Sequence, residues 1–208
     1  MGLIQLLFRD PLTFVLLAIP LLYSIILHEL AHGWVAFKMG DSTAKMLGRL
    51  SLNPMRHLDP IGTLALFLVG FGWAKPVPVN FANLHDQRKG LIFVSAAGIV
   101  TNLILAFLSF LALRFFSPVL SERLYVTLTF MGRINIMLAS FNLIPIPPLD
   151  GSKILMGFST RRFQYTLQRI EPYGMFILIA LLYLGWLDYP IALIQRVIVG
   201  IIGLLIPR

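Results

Sequence analysis

The chain contains no cysteine, which excludes disulfides and thiolate metal sites alike. Charge is scarce too. Only 12% of the 208 residues are Asp, Glu, Lys or Arg, against about 25% in an ordinary soluble domain. There is no internal repeat and no low-complexity tract, and a disordered chain would be polar and highly charged. What fills the sequence is apolar: 58% of it is hydrophobic, with a mean hydropathy of +0.84. A chain this short leaves a large share of its surface exposed and cannot hide so much apolar surface from water. A plain soluble enzyme is thereby excluded, and the composition points to an integral membrane protein folded as one domain.

Acidic residues are scarcer than basic ones, 9 against 17, for a net charge of +8. In a soluble protein this excess would raise the question of nucleic acid. In a membrane protein, basic residues collect in cytoplasmic loops, so the excess is a topology signal and no nucleic-acid partner is expected. Met1 to Pro11 carries Arg9 and Asp10 and no small-residue cleavage site. No removable signal peptide is expected there.

Five apolar segments stand out: Pro11 to Phe37, Leu91 to Leu113, Leu124 to Ile146, Pro172 to Leu187 and Ile191 to Ile206. The first three have the ~20 residues a spanning helix needs. A sixth piece, Ile61 to Trp73, has only 13. It is flanked by Lys38, Lys45, Arg49 and Arg56 on one side and by Lys75, Arg88 and Lys89 on the other. If both flanks are cytoplasmic, this piece dips in and returns. The N-terminus is then outside, and the later segments form two out-and-back pairs. Lys153, Arg161, Arg162, Arg169 and Arg208 join the cytoplasmic side, giving twelve basic residues there against three outside: Arg9, Arg114 and Arg123. Arg133 and Arg196 fall within spans. Ala44 to Asn53 and Pro76 to Phe81 lie between breakers and read as strands, with Val77 and Val79 alternating with Pro78 and Asn80. Its prolines confine the second to a sheet edge.

Within the first span stands His28-Glu29-Leu30-Ala31-His32. Residues four apart share one helix face, so both imidazoles can point at one ion. The glutamate between them is the residue type that activates a metal-bound water. Two histidines in an interhelical hydrogen-bond network would be the bland alternative. Three ionisable groups in five residues of an apolar helix are costly in lipid, however, and such groups are usually functional. A catalytic zinc site has three protein ligands and an open position. His57 and His85 lie in basic, proline-flanked loops, which leaves Asp150 as the better third ligand. It follows Pro145, Pro147 and Pro148, which break the preceding helix, and a broken helix at membrane depth belongs beside a cavity or inside protein. A plain cap on the following helix is the competing role for Asp150.

These residues carry a resemblance. The chain resembles the site-2 protease family of intramembrane zinc metalloproteases, in its short form without a PDZ domain. His28 to His32 match the family's first motif, and Asn142 to Gly151 match its Asn-Pro-Asp-Gly signature. Gly40 to Lys45, Leu52 to Pro54, Asp59 to Thr63 and Gly72 to Asn80 are similar stretches. The resemblance implies His28, His32 and Asp150 as ligands of one Zn2+ per chain, with Glu29 as catalytic base and acid. It also covers Gly98 to Asn102, a Gly-x-x-x-Asn element in which Ile99 stands where many members have proline. Asn102 either hydrogen-bonds substrate backbone or a developing oxyanion, or bonds another helix. Asn142, Val77 and Val79 are further candidate substrate-binding residues, the two valines by strand addition. Arg133 lies 17 residues before Asp150, roughly 25 Å along a helix, and reads as a buried ion pair or carbonyl contact.

The expected architecture is an α-helical polytopic membrane protein with about five transmembrane helices, a re-entrant segment and a small membrane-associated β-sheet. It forms a single integral membrane protease domain, with a catalytic core over about 11–155 and a C-terminal helical hairpin over about 172–206. The expected location is the cell membrane, multi-pass, with the active site towards the cytoplasm. The expected partners are a transmembrane protein substrate and membrane lipid, with homo-oligomerisation left open. Two other classes compete: a membrane metal transporter and an inactive protease-like binder.

Overall fold

The structure is a computed structural model that describes residues 7–69 and 72–206. Nine α-helices occur among them: α1 (Pro11–Lys38), α2 (Thr43–Met46), α3 (Pro60–Val69), α4 (Gln87–Phe116), α5 (Glu122–Asn142), α6 (Asp150–Phe158), α7 (Arg161–Ile170), α8 (Gly174–Tyr183) and α9 (Asp188–Leu205). Four of them are long and apolar enough to cross a membrane: α1, α4 with its extension to Val119, α5 and α9. Their outward faces carry Val15, Ile19, Ile104, Leu108, Leu193 and Val197, all exposed. Water would penalise so much contiguous apolar surface, whereas lipid accepts it. This is a helical membrane protein. At ten residues α8 is about 15 Å long, short of a bilayer's ~30 Å core.

Local chemistry sets the helix ends. Asp10 caps α1 by accepting from Thr13 N at 3.1 Å, with Pro11 at the first helical position. The helix closes at Gly40, whose φ of +114° suits glycine, and Asp41 N returns to Ala36 O at 2.9 Å. Asp86 and Ser121 cap α4 and α5 in the same manner as Asp10. Beyond Asn142, the prolines at 145, 147 and 148 end α5, and α6 begins at Asp150. α4 is the central element, packing against α1, α5 and α6. Ile99 and Ala106 of α4, Ile136 and Ala139 of α5, and Ile198 and Ile202 of α9 form one buried cluster.

No β-sheet forms among the described residues, contrary to the sequence expectation. A single antiparallel bridge joins Leu58 to Ala74, beside a bond from Lys75 N to His57 O at 2.8 Å. All but one of the donors a ladder would need in segment 76–80 are absent or engaged. Pro76 and Pro78 have none, Val77 N–H goes to Glu29, and Asn80 N–H goes to Asp41. In the other expected strand, Asp41 accepts from both the backbone and the hydroxyl of Thr43, which starts the helical turn α2 in its place. The Leu58–Ala74 bridge returns the chain after α3 to where it entered. Gly70 and Phe71, inside the expected re-entrant piece, lie outside the described residues.

Candidate active site

The two histidines of α1 lie one turn apart on the face turned toward α4, and both are buried. Their Nε2 atoms are 3.0 Å from each other. Each is 3.2 Å from Oδ2 of Asp150, at the start of α6. The three side chains that the sequence marked as ligands therefore present three donor atoms to one point. Ligands at about 2.0–2.1 Å from a tetrahedral zinc stand a little over 3 Å apart, so the spacing fits that ion. The surroundings fit as well. Asp150 Oδ2 is buried and accepts no hydrogen bond from a conventional donor, an arrangement a cation would satisfy. A Cβ at Gly98 of α4 would lie 2.5 Å from His28 Cε1 and from His32 Nε2. Only glycine lets α4 approach this closely.

The outer nitrogens of both rings are held. His28 Nδ1 lies 2.5 Å from Asn102 Oδ1, and His32 Nδ1 lies 2.7 Å from the carbonyl of Val94. A carbonyl only accepts, so His32 carries a proton on Nδ1, and Nε2 is the ring nitrogen left to bind a cation. Such outer partners fix tautomer and ring orientation in metal sites. Asn102 is fully buried, and its amide nitrogen donates to Asn135 Oδ1 at 2.7 Å. Of the two roles the sequence left open for it, its side chain takes the contact with another helix.

Glu29 is half-buried beside the histidines. Its Oε2 accepts from the backbone N–H of Val77 at 2.8 Å. The segment 76–80 thus lies directly against the carboxylate. A cavity of about 290 Å³ opens between them, lined by His28, Glu29, His32, Asp150, Val77 and Val79. Asn142, Ser95 and Lys153 also line it. All the residues expected to bind substrate except Asn102 therefore face one space, and that space reaches the three donor atoms.

Asp41 holds the segment in place, a role not read from the sequence. Its buried carboxylate takes Asn80 N–H at 2.7 Å and Asn83 Nδ2 at 2.9 Å, besides Thr43. Burial pushes its pKa up, but the bonds from Thr43, Asn83 and Asn80 outweigh this and hold the group below the usual carboxylate range. The sequence signal was an Asp two residues before a Thr at a helix end, the pattern of a side-chain turn.

Other expectations resolve differently. His57 is buried with Nε2 2.7 Å from Ser51 O, His85 is exposed, and neither lines the cavity. Arg133 is not buried: it is exposed on α5 and makes no ion pair among the described residues. The faces of α5 that pack inward are taken by Gly132, Asn135, Ile136, Ala139 and Ser140, leaving position 133 outside.

Comparison with known proteins agrees with this geometry. The model of peptidase family M50 matches residues 117–185, the part that carries Asp150. A Bacillus subtilis protein named "Putative zinc metalloprotease YwhC" is 41% identical over 172 residues, covering 79% of this chain and 78% of the relative. In Methanocaldococcus jannaschii, "Zinc metalloprotease MJ0392" is 29% identical over 149 residues, 72% of this chain but only 36% of that longer protein. No solved structure matches. A relative this similar over most of both chains, together with a zinc-compatible cluster, identifies the activity as that of a zinc metalloprotease. The chain belongs to peptidase family M50, the site-2 protease family.

Proposed function

We propose that this enzyme hydrolyses a peptide bond within, or near the cytoplasmic end of, a transmembrane protein substrate, in regulated intramembrane proteolysis. The observation that carries the proposal is the convergence of three donor atoms beside a carboxylate, at the end of a cavity walled by Val77 and Val79. His28, His32 and Asp150 hold the metal. Bound zinc supplies a Lewis acid that polarises a carbonyl and makes water more acidic. Glu29 takes the proton of the attacking water and later gives it to the leaving amine. Val77 N–H occupies Oε2 and leaves Oε1 to carry that proton.

A helical substrate hides its amides in its own hydrogen bonds and must unwind to be cut. Segment 76–80 can receive the unwound stretch by strand addition. Val77 and Val79 line the cavity together with Pro76, while Pro78 does not. Val79 N–H has no hydrogen-bond partner among the described residues and is the free donor of that edge. Asn142 lines the same cavity.

The topology follows from charge. The N-terminus is outside, α1 runs inward, and the piece from Ile61 to Trp73 re-enters, flanked by Leu58 and Ala74, which the bridge joins. α4 and α5 go out and back, and α8 with α9 forms a C-terminal hairpin whose first arm is short. The catalytic core, about 11–155, and this hairpin make one domain in the cell membrane, with lipid around it and the site towards the cytoplasm. A metal transporter would need metal-binding groups along a path through the bilayer, whereas here His28, Glu29, His32 and Asp150 gather at one cavity. A purified Glu29→Gln variant separates the readings. Zinc stays bound and cleavage of a membrane substrate stops if Glu29 is the base. Unaltered cleavage overturns the mechanism, metal flux without cleavage favours transport, and zinc binding without either in the wild type marks a silent binder.

A further inference from the structure

Behind His28 a chain of buried polar side chains crosses three helices. Asn102 of α4 meets His28, Asn135 of α5 meets Asn102, and Ser24 of α1 meets Asn135. Ser24 is 1% exposed, and Asn102 and Asn135 are 0% exposed. Three uncharged polar groups at the centre of an apolar bundle are costly unless every donor and acceptor is matched. Here every side-chain nitrogen and oxygen of the three has a partner, and the matching has only one direction.

The far ends of the chain are backbone carbonyls, which only accept. Met131 O takes one amide proton of Asn135 at 2.8 Å, and Pro20 O takes the hydroxyl proton of Ser24 at 2.7 Å. With its proton engaged, Ser24 Oγ meets Asn135 Nδ2 as an acceptor at 2.8 Å. Both protons of Asn135 Nδ2 are then used, and its Oδ1 receives Asn102 Nδ2 at 2.7 Å. Asn102 is left with Oδ1 alone to offer His28, 2.5 Å from Nδ1. That nitrogen must carry a ring proton, so in the neutral ring that binds a metal Nε2 is the bare nitrogen, turned toward Asp150 and His32. Flipping either amide would set donor against donor and acceptor against acceptor in buried space. We propose that Asn135 and Ser24 are positioning residues of the metal centre, which fix the tautomer and ring orientation of His28 through Asn102.

The proposal rests on His28 being a zinc ligand, so its test includes a variant of that residue. The readouts are zinc affinity, measured by competition with a chelator in detergent, and the visible spectrum of the Co2+-substituted protein. Asn135→Leu weakens zinc binding by about 10- to 100-fold, the range for outer-shell partners of a metal ligand, and alters the Co2+ spectrum. Ser24→Ala removes one acceptor and little volume, and weakens binding by about 2- to 10-fold, the effect of one hydrogen bond. Ser109→Ala is the control. Ser109 is equally buried and also bonds the carbonyl four residues back, but it touches no member of the chain. Its zinc affinity and spectrum stay at wild-type values. Should Asn135→Leu fail to fold, Ser24→Ala against Ser109→Ala decides. Equal zinc affinity and identical Co2+ spectra in those two overturn the proposal while His28→Ala still loses zinc. Wild-type zinc affinity in His28→Ala overturns the ligand assignment itself.

Discussion

The floor and the roof of the cavity are built by different means. The floor is a set of helices: α1 and α4 approach so closely at Gly98 that a single added methyl would overlap both imidazoles. Every outer nitrogen there is held by a buried partner. The roof, segment 76–80, has no regular secondary structure and is attached at two points, by Val77 N–H to Glu29 and by Asn80 N–H to Asp41. The contrast separates two demands on an intramembrane protease. Metal ligands must be held to fractions of an ångström, which rigid helices provide. A stretch that receives substrate must keep backbone groups unpaired, which a helix or an inner strand forbids.

Substitutions in the floor should break the enzyme, and those in the roof should weaken its grip on substrate. The largest effect is expected from His28→Ala, His32→Ala or Asp150→Ala, each of which loses bound zinc by metal analysis and reduces cleavage to background. Gly98→Ala comes next. Overpacking costs about 1–3 kcal/mol, so zinc affinity falls on the order of 10-fold or more by chelator competition, with the helices still formed by circular dichroism. In the roof, Val79→Pro removes the free N–H. One lost hydrogen bond raises KM for a membrane substrate by about 2- to 10-fold, and zinc content does not change. An equal loss of zinc in that variant would erase the distinction between floor and roof.

The smallest effect at neutral pH concerns the Asp41 anchor. Its pKa is depressed in the folded state, so its contribution is fully present above the unfolded value of about 3.9. That contribution disappears as pH falls through the lower folded value. Protease nicking within residues 76–83 should therefore increase only in acid. Asp41→Asn, which replaces one acceptor oxygen by a donor, should be nicked more readily at every pH and lose the acid step.

Much of the floor was legible because it is local. His28, Glu29 and His32 sit within five residues, and helical spacing alone places both imidazoles on one face. Asp150 was found because three prolines mark where a helix stops at membrane depth. What escaped was set by distance in the chain. Ser24, Asn102 and Asn135 are single polar residues in three separate spans, and nothing in sequence says which of them meet. The roof was misread for another reason. The alternation of Val77 and Val79 is the pattern of a strand, but a strand also needs a neighbouring strand for its donors, and here Glu29 and Asp41 take those of Val77 and Asn80. Arg133 was expected inside because charge is costly in lipid. Packing decided otherwise, since the small and polar residues of α5 fill its inner face.

The account turns on one claim, that His28, His32 and Asp150 share one zinc. Zinc K-edge X-ray absorption of the purified wild-type protein and of the His28→Ala, His32→Ala and Asp150→Ala variants, each loaded with zinc at high concentration, tests it most directly. The expected wild-type spectrum is a first shell of nitrogen and oxygen at about 2.0–2.1 Å with scattering from two imidazoles. One imidazole should disappear in each histidine variant, and in Asp150→Ala both should stay while the oxygen shell changes. A spectrum that is the same in all four proteins would put the zinc elsewhere and contradict the account.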